Sequence, residues 1–144
     1  MTDEFYMKAA LAEALKAYDA DEVPIGCVIV WNNQIIARAF NRTEQLQDFT
    51  AHCEMQAFTS AADFLGNKYL NECSLYVTLE PCVMCSGAAF WTQIGKIVFG
   101  AYDLKRGISA YSEKILHPKT LVQGGVLESE SAALLSNFFR GKRK

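Results

Sequence analysis

The order of hydrophobic and polar positions along the chain predicts alternating helices and strands. Near the start, apolar residues from Met7 to Tyr18 recur at helical spacing, and Thr2 is placed to cap the first turn. This pattern predicts an amphipathic helix of about 17 residues, with Leu15 and Tyr18 on its apolar face. Pro24 then interrupts the helical pattern.

Later apolar runs, each bounded by polar or turn-forming residues, predict five strands and three further helices. Short β-branched runs predict the strands, and repeats at helical spacing predict the helices. Between 102 and 118 the pattern is weak. The predicted strands cover 26–31, 34–40, 74–79, 96–100 and 120–123, and the predicted helices cover 52–65, 82–92 and roughly 127–139.

The connections between these elements predict a mixed sheet. Only Asn32 and Asn33 separate the first two strands, and asparagine tolerates positive φ, so this pair of strands predicts an antiparallel hairpin. The helix at 82–92 is a crossover between two strands and therefore predicts a parallel pair. Helices packed over five strands give a layered α/β architecture, and the chain has no repeat or linker, so residues 1–144 are expected to form a single domain.

The charge of the chain is nearly balanced but unevenly distributed. Lys and Arg number 14 against 16 Asp and Glu, a formal charge of −2 that argues against a strongly basic nucleic-acid coat. The first 139 residues hold 10 basic and 16 acidic side chains, a charge of −6. The basic tip suits phosphate contacts, with a solvated tail as the alternative, and it consists of Arg140, Lys142, Arg143 and Lys144.

The five cysteines are an odd number in a chain that opens on acidic residues rather than on a secretory signal. A disulfide framework is therefore not expected, and metal ligation or burial has to explain the cysteines. The apolar runs are far shorter than the roughly 20 residues that span a bilayer. We therefore expect a cytoplasmic protein.

Two short motifs carry the candidate chemistry. His52-Cys-Glu54 stands at the start of the predicted second helix, and Pro81-Cys-Val-Met-Cys85 stands at the start of the third. Cys82 and Cys85 are three apart, so on a helix they face the same way, and a helix N-terminus favours their thiolates. Thiolate sulfur and imidazole nitrogen suit Zn²⁺, and His52 is the obvious third ligand.

Three protein ligands favour a catalytic zinc, because the fourth position stays open for a water. Glu54 then supplies a carboxylate able to move protons between that water and a substrate. Because residues i and i+2 of a regular helix point apart, we expect His52 at the very mouth of its helix.

Two alternatives remain open at this point. A Cys-x-x-Cys pair also occurs as a redox pair or as half of a structural zinc site, and a closed structural site needs a fourth protein ligand. Cys27, Cys73 and His117 are the available candidates, whereas Cys53 is poorly placed beside His52 on the helix.

The pairing of His-x-Glu with Pro-Cys-x-x-Cys resembles the zinc-dependent cytidine and nucleobase deaminases. Within them the chain is most similar to the bacterial tRNA adenosine deaminases, and the resemblance covers nearly the whole chain. Besides the two motifs, it rests on Glu22-Val-Pro-Ile-Gly26, the Asn41-Arg42 pair, Thr50-Ala-His-Cys-Glu54, Thr78-Leu-Glu-Pro-Cys-Val-Met-Cys85, Val98-Phe-Gly-Ala101 with Asp103, and the stretch 132–140 that ends in Phe-Phe-Arg.

The resemblance implies a three-layer α-β-α cytidine-deaminase-like fold with one Zn²⁺ per chain, held by His52, Cys82 and Cys85. It implies hydrolytic deamination of adenosine to inosine at the wobble position in the anticodon loop of an arginine tRNA, with a zinc-activated water and Glu54 as proton shuttle. The substrate-binding residues it implies are Ile25, Asn41, Leu79, Asp103, Phe139 and Arg140.

The resemblance also implies a homodimer, with Phe90 and Trp91 either at its interface or in the core. Phe138 and Phe139 are likewise either RNA-stacking surfaces or core residues. The chain departs from the family at Phe49, where proline is common, at Cys53, where alanine is common, and over 104–118. The other functions considered are a deaminase of free guanine, cytosine or a cytidine nucleotide, and a silent RNA-binding subunit in which zinc only stabilises the fold.

Overall fold

The computed structural model describes residues 1–142, in which a five-stranded sheet lies between two layers of helices. Among these residues, no helix combines the length and the apolar content that crossing a bilayer requires. The elements are helix α1 (Asp3–Asp19), strands β1 (Gly26–Trp31) and β2 (Gln34–Phe40), helices α2 (Thr43–Leu46) and α3 (Cys53–Leu65), strand β3 (Ser74–Leu79), helix α4 (Val83–Thr92), strands β4 (Lys96–Ala101) and β5 (Leu121–Gln123), and helix α5 (Glu128–Lys142).

The sheet is mixed, as the connections predict. Its strand order is β2-β1-β3-β4-β5, with β1 antiparallel to both neighbours and β3, β4 and β5 parallel to one another. Asn32 and Asn33 have φ values of 52° and 59°. Two successive positive φ values are typical of the tight type I′ turn, which matches the twist of the strands that it joins.

The two faces of the sheet carry separate apolar cores. Cys27 and Ile29 of β1 point toward α3 and α4, whereas Val28 of the same strand points toward α1 with Met7 and Tyr76. A strand buried on both faces needs a helical layer on each side. The structure therefore confirms the predicted three-layer α-β-α architecture.

Helix α1 buries only part of the face that the sequence predicted, and Met7 at its start is fully buried as expected. Its fully buried residues include Ala10 and Ala14, whereas Leu15 is 51% and Tyr18 is 36% exposed, so the prediction that these two residues form the buried face was wrong. The cause is the close approach of α1 to β1. A Cβ on Gly26 would collide with the backbone of Ala14 and Ala10, and only small side chains fit between elements this close.

Helix α2 lies between the predicted strand at 34–40 and the predicted helix at 52–65, where the sequence pattern predicts no regular element. Its first backbone N–H groups need acceptors, and the carboxylate of Glu22 supplies them, accepting from Glu44 N at 3.0 Å and from Gln45 N at 2.6 Å. Glu22 is 1% exposed and stands 22 residues before Glu44. A distant buried acid therefore stabilises a helix that its own residues do not predict.

Candidate metal centre and substrate cavity

The two predicted motifs meet where helices α3 and α4 begin. His52 is the N-cap of α3 and Cys82 is the N-cap of α4, and both have extended backbone geometry. A cap residue lies beside the helix axis rather than along its side, which leaves its side chain free to turn toward the neighbouring helix. The expectation that His52 stands at the mouth of its helix is confirmed.

The three candidate ligands have the spacing of a zinc site. His52 Nδ1 lies 3.6 Å from Cys82 Sγ and 3.5 Å from Cys85 Sγ. With Zn–S of about 2.3 Å and Zn–N of about 2.0–2.1 Å, a tetrahedral ion separates sulfur from nitrogen by about 3.6 Å. These three side chains could therefore hold a zinc ion without rearrangement.

A fourth protein ligand does not join this group in the part of the chain that the structure describes. Within residues 1–142, His52, Cys82 and Cys85 form the cluster of possible metal ligands, and Cys27, Cys73 and His117 lie outside it. Structural zinc is normally enclosed by four protein ligands, whereas a catalytic zinc has three and an open position. The composition of the cluster favours the catalytic type.

Hydrogen bonding prepares Cys82 as a ligand. The thiol of Cys85 and then His52 hydrogen-bond to its sulfur, and despite opposing burial they lower the pKa of Cys82 to about 4. The same contact with Cys82, together with burial, raises the pKa of Cys85, and the contact with Cys82 raises the pKa of His52. This low pKa favours the thiolate form of Cys82, which is the form that binds metals.

Glu54 lies in the first turn of α3 and is 4% exposed. Burial raises the pKa of its carboxyl group, because a charged carboxylate is less stable away from water. The thiol of Cys53 donates to Glu54 Oε1 over 3.1 Å, which holds the carboxyl group in place. A carboxyl group with a raised pKa is suited to both accepting and returning a proton near neutral pH.

A cavity of about 140 Å³ opens beside this cluster. Its walls include Ile25, Asn41, Leu79 and Asp103, the four residues that the family resemblance assigned to a substrate pocket from four separate parts of the sequence. The complete lining consists of Ile25, Asn41, His52, Cys53, Glu54, Leu79, Glu80, Cys82, Asp103 and Arg106.

The structure does not bring Phe139 and Arg140 to this cavity. Phe139 is 47% exposed on α5, and Arg140 hydrogen-bonds Asn137 of the same helix at 2.7 Å. Phe138, in contrast, is 7% exposed and packs edge-on against Tyr18, so it is the core residue of the pair. Substrate binding by Phe139 and Arg140 stays a prediction.

Lys142 is another member of the basic tip, and it too has its contacts outside the cavity. Lys142 forms an ion pair with Asp21 and lies 5.5 Å above the ring of Phe138. Arg143 and Lys144, the remaining members of the predicted phosphate-binding tip, lie outside the described residues.

Three cavity residues were not predicted from the sequence, namely Cys53, Glu80 and Arg106. Glu80 directly precedes the Pro81 motif, and Arg106 follows Asp103 within the weakly patterned stretch, so only proximity in sequence marks them. Glu80 and Arg106 lie outside the helices and strands, so no periodic pattern could have predicted the direction of their side chains.

Three comparisons with known proteins agree with this geometry. The zinc-binding region of cytidine and deoxycytidylate deaminases matches residues 1–101. The chain is 47% identical to a tRNA-specific adenosine deaminase of Bacillus subtilis, over 99% of this chain and 91% of that protein. It is 43% identical to a tRNA-specific adenosine deaminase of Agrobacterium fabrum, over 96% and 94% of the two chains.

A solved structure is also similar. It comes from a study of A-to-I editing by tRNA:A34 deaminases at the wobble position of transfer RNA, and it superposes with a TM-score of 0.85 at 41% identity. The match covers 91% of this chain and 99% of the other. The similarity thus extends beyond the metal motif to the whole architecture.

Proposed function

Since the chain belongs to the zinc-binding cytidine and deoxycytidylate deaminase family, and within it to the tRNA-specific adenosine deaminases, we propose that it deaminates adenosine to inosine at the wobble position of tRNA. The reaction consumes water and releases ammonia. The observation that carries the proposal is the buried Glu54 carboxyl group in one cavity with the candidate ligands His52 and Cys82.

His52, Cys82 and Cys85 hold one Zn²⁺ in this proposal. The fit rests on the tetrahedral spacing of their donor atoms and on the low pKa of Cys82. A zinc ion with three protein ligands supplies Lewis-acid chemistry that makes water nucleophilic near neutral pH. The remaining steps fall to side chains of the chain itself.

Glu54 moves the protons of the reaction. Its carboxylate accepts the first proton of the water that attacks C6 of adenine and delivers it to ring atom N1. It then accepts the second proton, from the hydroxyl group now on C6, and delivers it to the leaving amine, which departs as ammonia. Burial supports this role because it raises the pKa of the carboxyl group, and the hydrogen bond from Cys53 supports it because it holds the group in a fixed position.

The cavity walls bind and orient the base. Ile25 and Leu79 provide apolar surface, and Asn41 provides an amide that is anchored by long hydrogen bonds, from its Nδ2 to Val23 O at 3.3 Å and to its Oδ1 from Thr43 N at 3.4 Å. An amide anchored this way retains capacity for further hydrogen bonds. An anticodon loop exposes unpaired bases, so turning one into the cavity costs less than it would from a duplex.

We further propose that the whole chain forms one deaminase domain that works in the cytoplasm as a homodimer. The outer surface of α4 supports the dimer, because Trp91 is 77% and Val83 is 49% exposed there. Large exposed apolar residues on one helix are typical of protein–protein contacts. Sedimentation equilibrium of wild type and Trp91→Lys tests the dimer. Wild type should have the mass of a dimer, and the variant should shift toward the mass of a monomer. A wild type that is monomeric would contradict the proposal.

The activity test uses zinc-loaded protein and an arginine tRNA with adenosine at the wobble position. Sequencing should report inosine at that position, and the same tRNA with guanosine there should stay unchanged. Ammonia release from free guanine, cytosine or cytidine in place of tRNA conversion would instead support a small-molecule deaminase.

A further inference from the structure

Glu80 is a buried carboxylate whose three hydrogen bonds go to one loop. Its side chain is 3% exposed and accepts from Asp103 N at 2.9 Å, from Ser109 N at 2.7 Å and from Ser109 Oγ at 3.0 Å. Buried carboxylates are stable only when donors satisfy them, so these bonds are costly to break. Glu80 therefore fastens both ends of residues 103–109, which we call the rim loop.

The rim loop is also held from within. Asp103 Oδ1 accepts from Lys105 N at 3.2 Å and from Arg106 N at 3.1 Å, and Gly107 N donates to Asp103 O at 2.8 Å. A Cβ on Gly107 would collide with the carboxylate of Glu80, so the backbone passes directly over that group. These contacts leave the loop backbone little freedom.

The side chains that this loop presents outward are apolar and basic. Leu104 is 80% exposed, and Lys105 and Arg106 are exposed as well. Arg106 also lines the cavity that contains Glu54. Among the side chains that the structure describes, which do not include that of Glu113, neither Lys105 nor Arg106 forms an ion pair. A guanidinium group at the mouth of a cavity brings five N–H donors in a fixed planar arrangement, which suits a ligand with several acceptor oxygens.

A phosphate is the ligand that suits this position. A guanidinium group binds phosphate oxygens through two parallel hydrogen bonds, and a nucleotide within a strand carries a phosphate on each side of its sugar. A free base carries none. An arginine at the cavity mouth can therefore distinguish a nucleotide of an RNA strand from a free base of identical ring structure.

We propose that Arg106 binds a backbone phosphate next to the nucleotide whose base enters the cavity, and that Glu80 is the positioning residue that holds the rim loop for this contact. The proposal rests on the proposed function in one respect, that the ligand is an RNA strand. It adds the element that selects the strand over the free base.

The first test measures the affinity for an anticodon stem-loop RNA against salt concentration, in a Glu54→Gln background that prevents turnover. Arg106→Gln should bind about tenfold more weakly. The slope of log K against log salt should become less steep by about 0.7, the value for one phosphate contact to a single strand. Arg38→Gln, which alters an exposed arginine of β2 away from the cavity, is the matched control. An unchanged slope for Arg106→Gln overturns the proposal.

The second test asks whether replacing Glu80 strengthens or weakens RNA binding. Glu80→Gln removes a negative charge close to the RNA, which by electrostatics alone strengthens RNA binding. The positioning role predicts the opposite, binding about tenfold weaker, because the amide group of glutamine cannot accept all three donors. Ser109→Ala, which removes one of the three, should have a smaller effect in the same direction.

Amide hydrogen exchange and zinc content separate this role from general destabilisation. In Glu80→Gln the amides of Asp103 and Ser109 should exchange faster, while those of β1 and β3 and the bound zinc stay at wild-type levels. RNA binding by Glu80→Gln as tight as wild type or tighter overturns the role of Glu80. If wild type forms inosine but Arg106→Gln binds RNA with an unchanged salt slope, only the phosphate contact is refuted. If the salt slope of Arg106→Gln is reduced but wild type forms no inosine, only the proposed function is refuted.

Discussion

The starts of helices α3 and α4 and the end of helix α5 were both predicted to be functional regions, but only the helix starts bring their predicted side chains together. At the helix starts, the sulfur atoms of Cys82 and Cys85 lie within 3.6 Å of His52 Nδ1, which belongs to a separate helix. At the end of α5, Arg140 binds Asn137 of its own helix and Lys142 binds Asp21.

The difference lies in how tightly each pattern constrains geometry. A cap residue and the residue three positions later have nearly fixed relative positions, so the spacing of Cys82 and Cys85 already defines half of a metal site. Lysine and arginine side chains are long, and on an exposed helix they take whichever partner is near. Basic groups in a last helical turn also stabilise the helix itself, through its dipole.

The largest expected effect comes from removing a metal ligand. Cys82→Ala should lose most of its bound zinc and at least about a thousandfold in turnover, since the metal supplies several kcal/mol of transition-state stabilisation. Metal analysis and inosine formation measure the two losses. Cys73→Ala, a buried cysteine outside the cluster, is the control and should keep its zinc. Retention of full activity by Cys82→Ala would contradict the assignment.

An intermediate effect is expected inside the cavity. Asn41→Ala should lower kcat/KM for tRNA by about tenfold to a hundredfold, because a substrate hydrogen bond disappears while the metal cluster stays intact. The zinc content should equal that of wild type, which distinguishes this variant from a ligand variant. An unchanged kcat/KM in Asn41→Ala would show that Asn41 does not contribute to substrate binding.

The smallest effect should follow changes at the end of α5. The double variant Arg140→Gln, Lys142→Gln should weaken tRNA binding by at most about tenfold and leave kcat at saturating tRNA unchanged. Its stability should fall by less than about 1 kcal/mol, because the ion pair with Asp21 is solvent-exposed. A hundredfold loss of kcat would show that the end of α5 takes part in catalysis and would contradict the difference between the two regions.

The features that sequence predicted well depend on local pattern. The Asn32-Asn33 turn, the crossover helix and the cap positions of His52 and Cys82 follow from backbone preferences and periodicity within a few residues. They sufficed to predict the mixed sheet and the metal cluster.

The features that sequence missed depend on partners far along the chain. Glu22 stabilises α2, and Glu80 fastens the rim loop from 23 residues away, through backbone N–H groups that only the folded chain brings near. The prediction that Leu15 and Tyr18 lie on the buried face of α1 was wrong for a related reason. Gly26 lets the helix approach so closely that alanines fill the contact and Leu15 is excluded from it.

The central claim is that Glu54 moves protons in a zinc-dependent adenosine deaminase, and comparison of wild type with Glu54→Gln tests it most directly. Both proteins are loaded with zinc, their metal content is measured, and inosine at the wobble position is followed under single-turnover conditions. If Glu54 moves the protons, the two proteins should contain equal amounts of zinc and the variant should react about 10²–10⁴-fold more slowly. A Glu54→Gln protein that forms inosine within about threefold of the wild-type rate would contradict the claim.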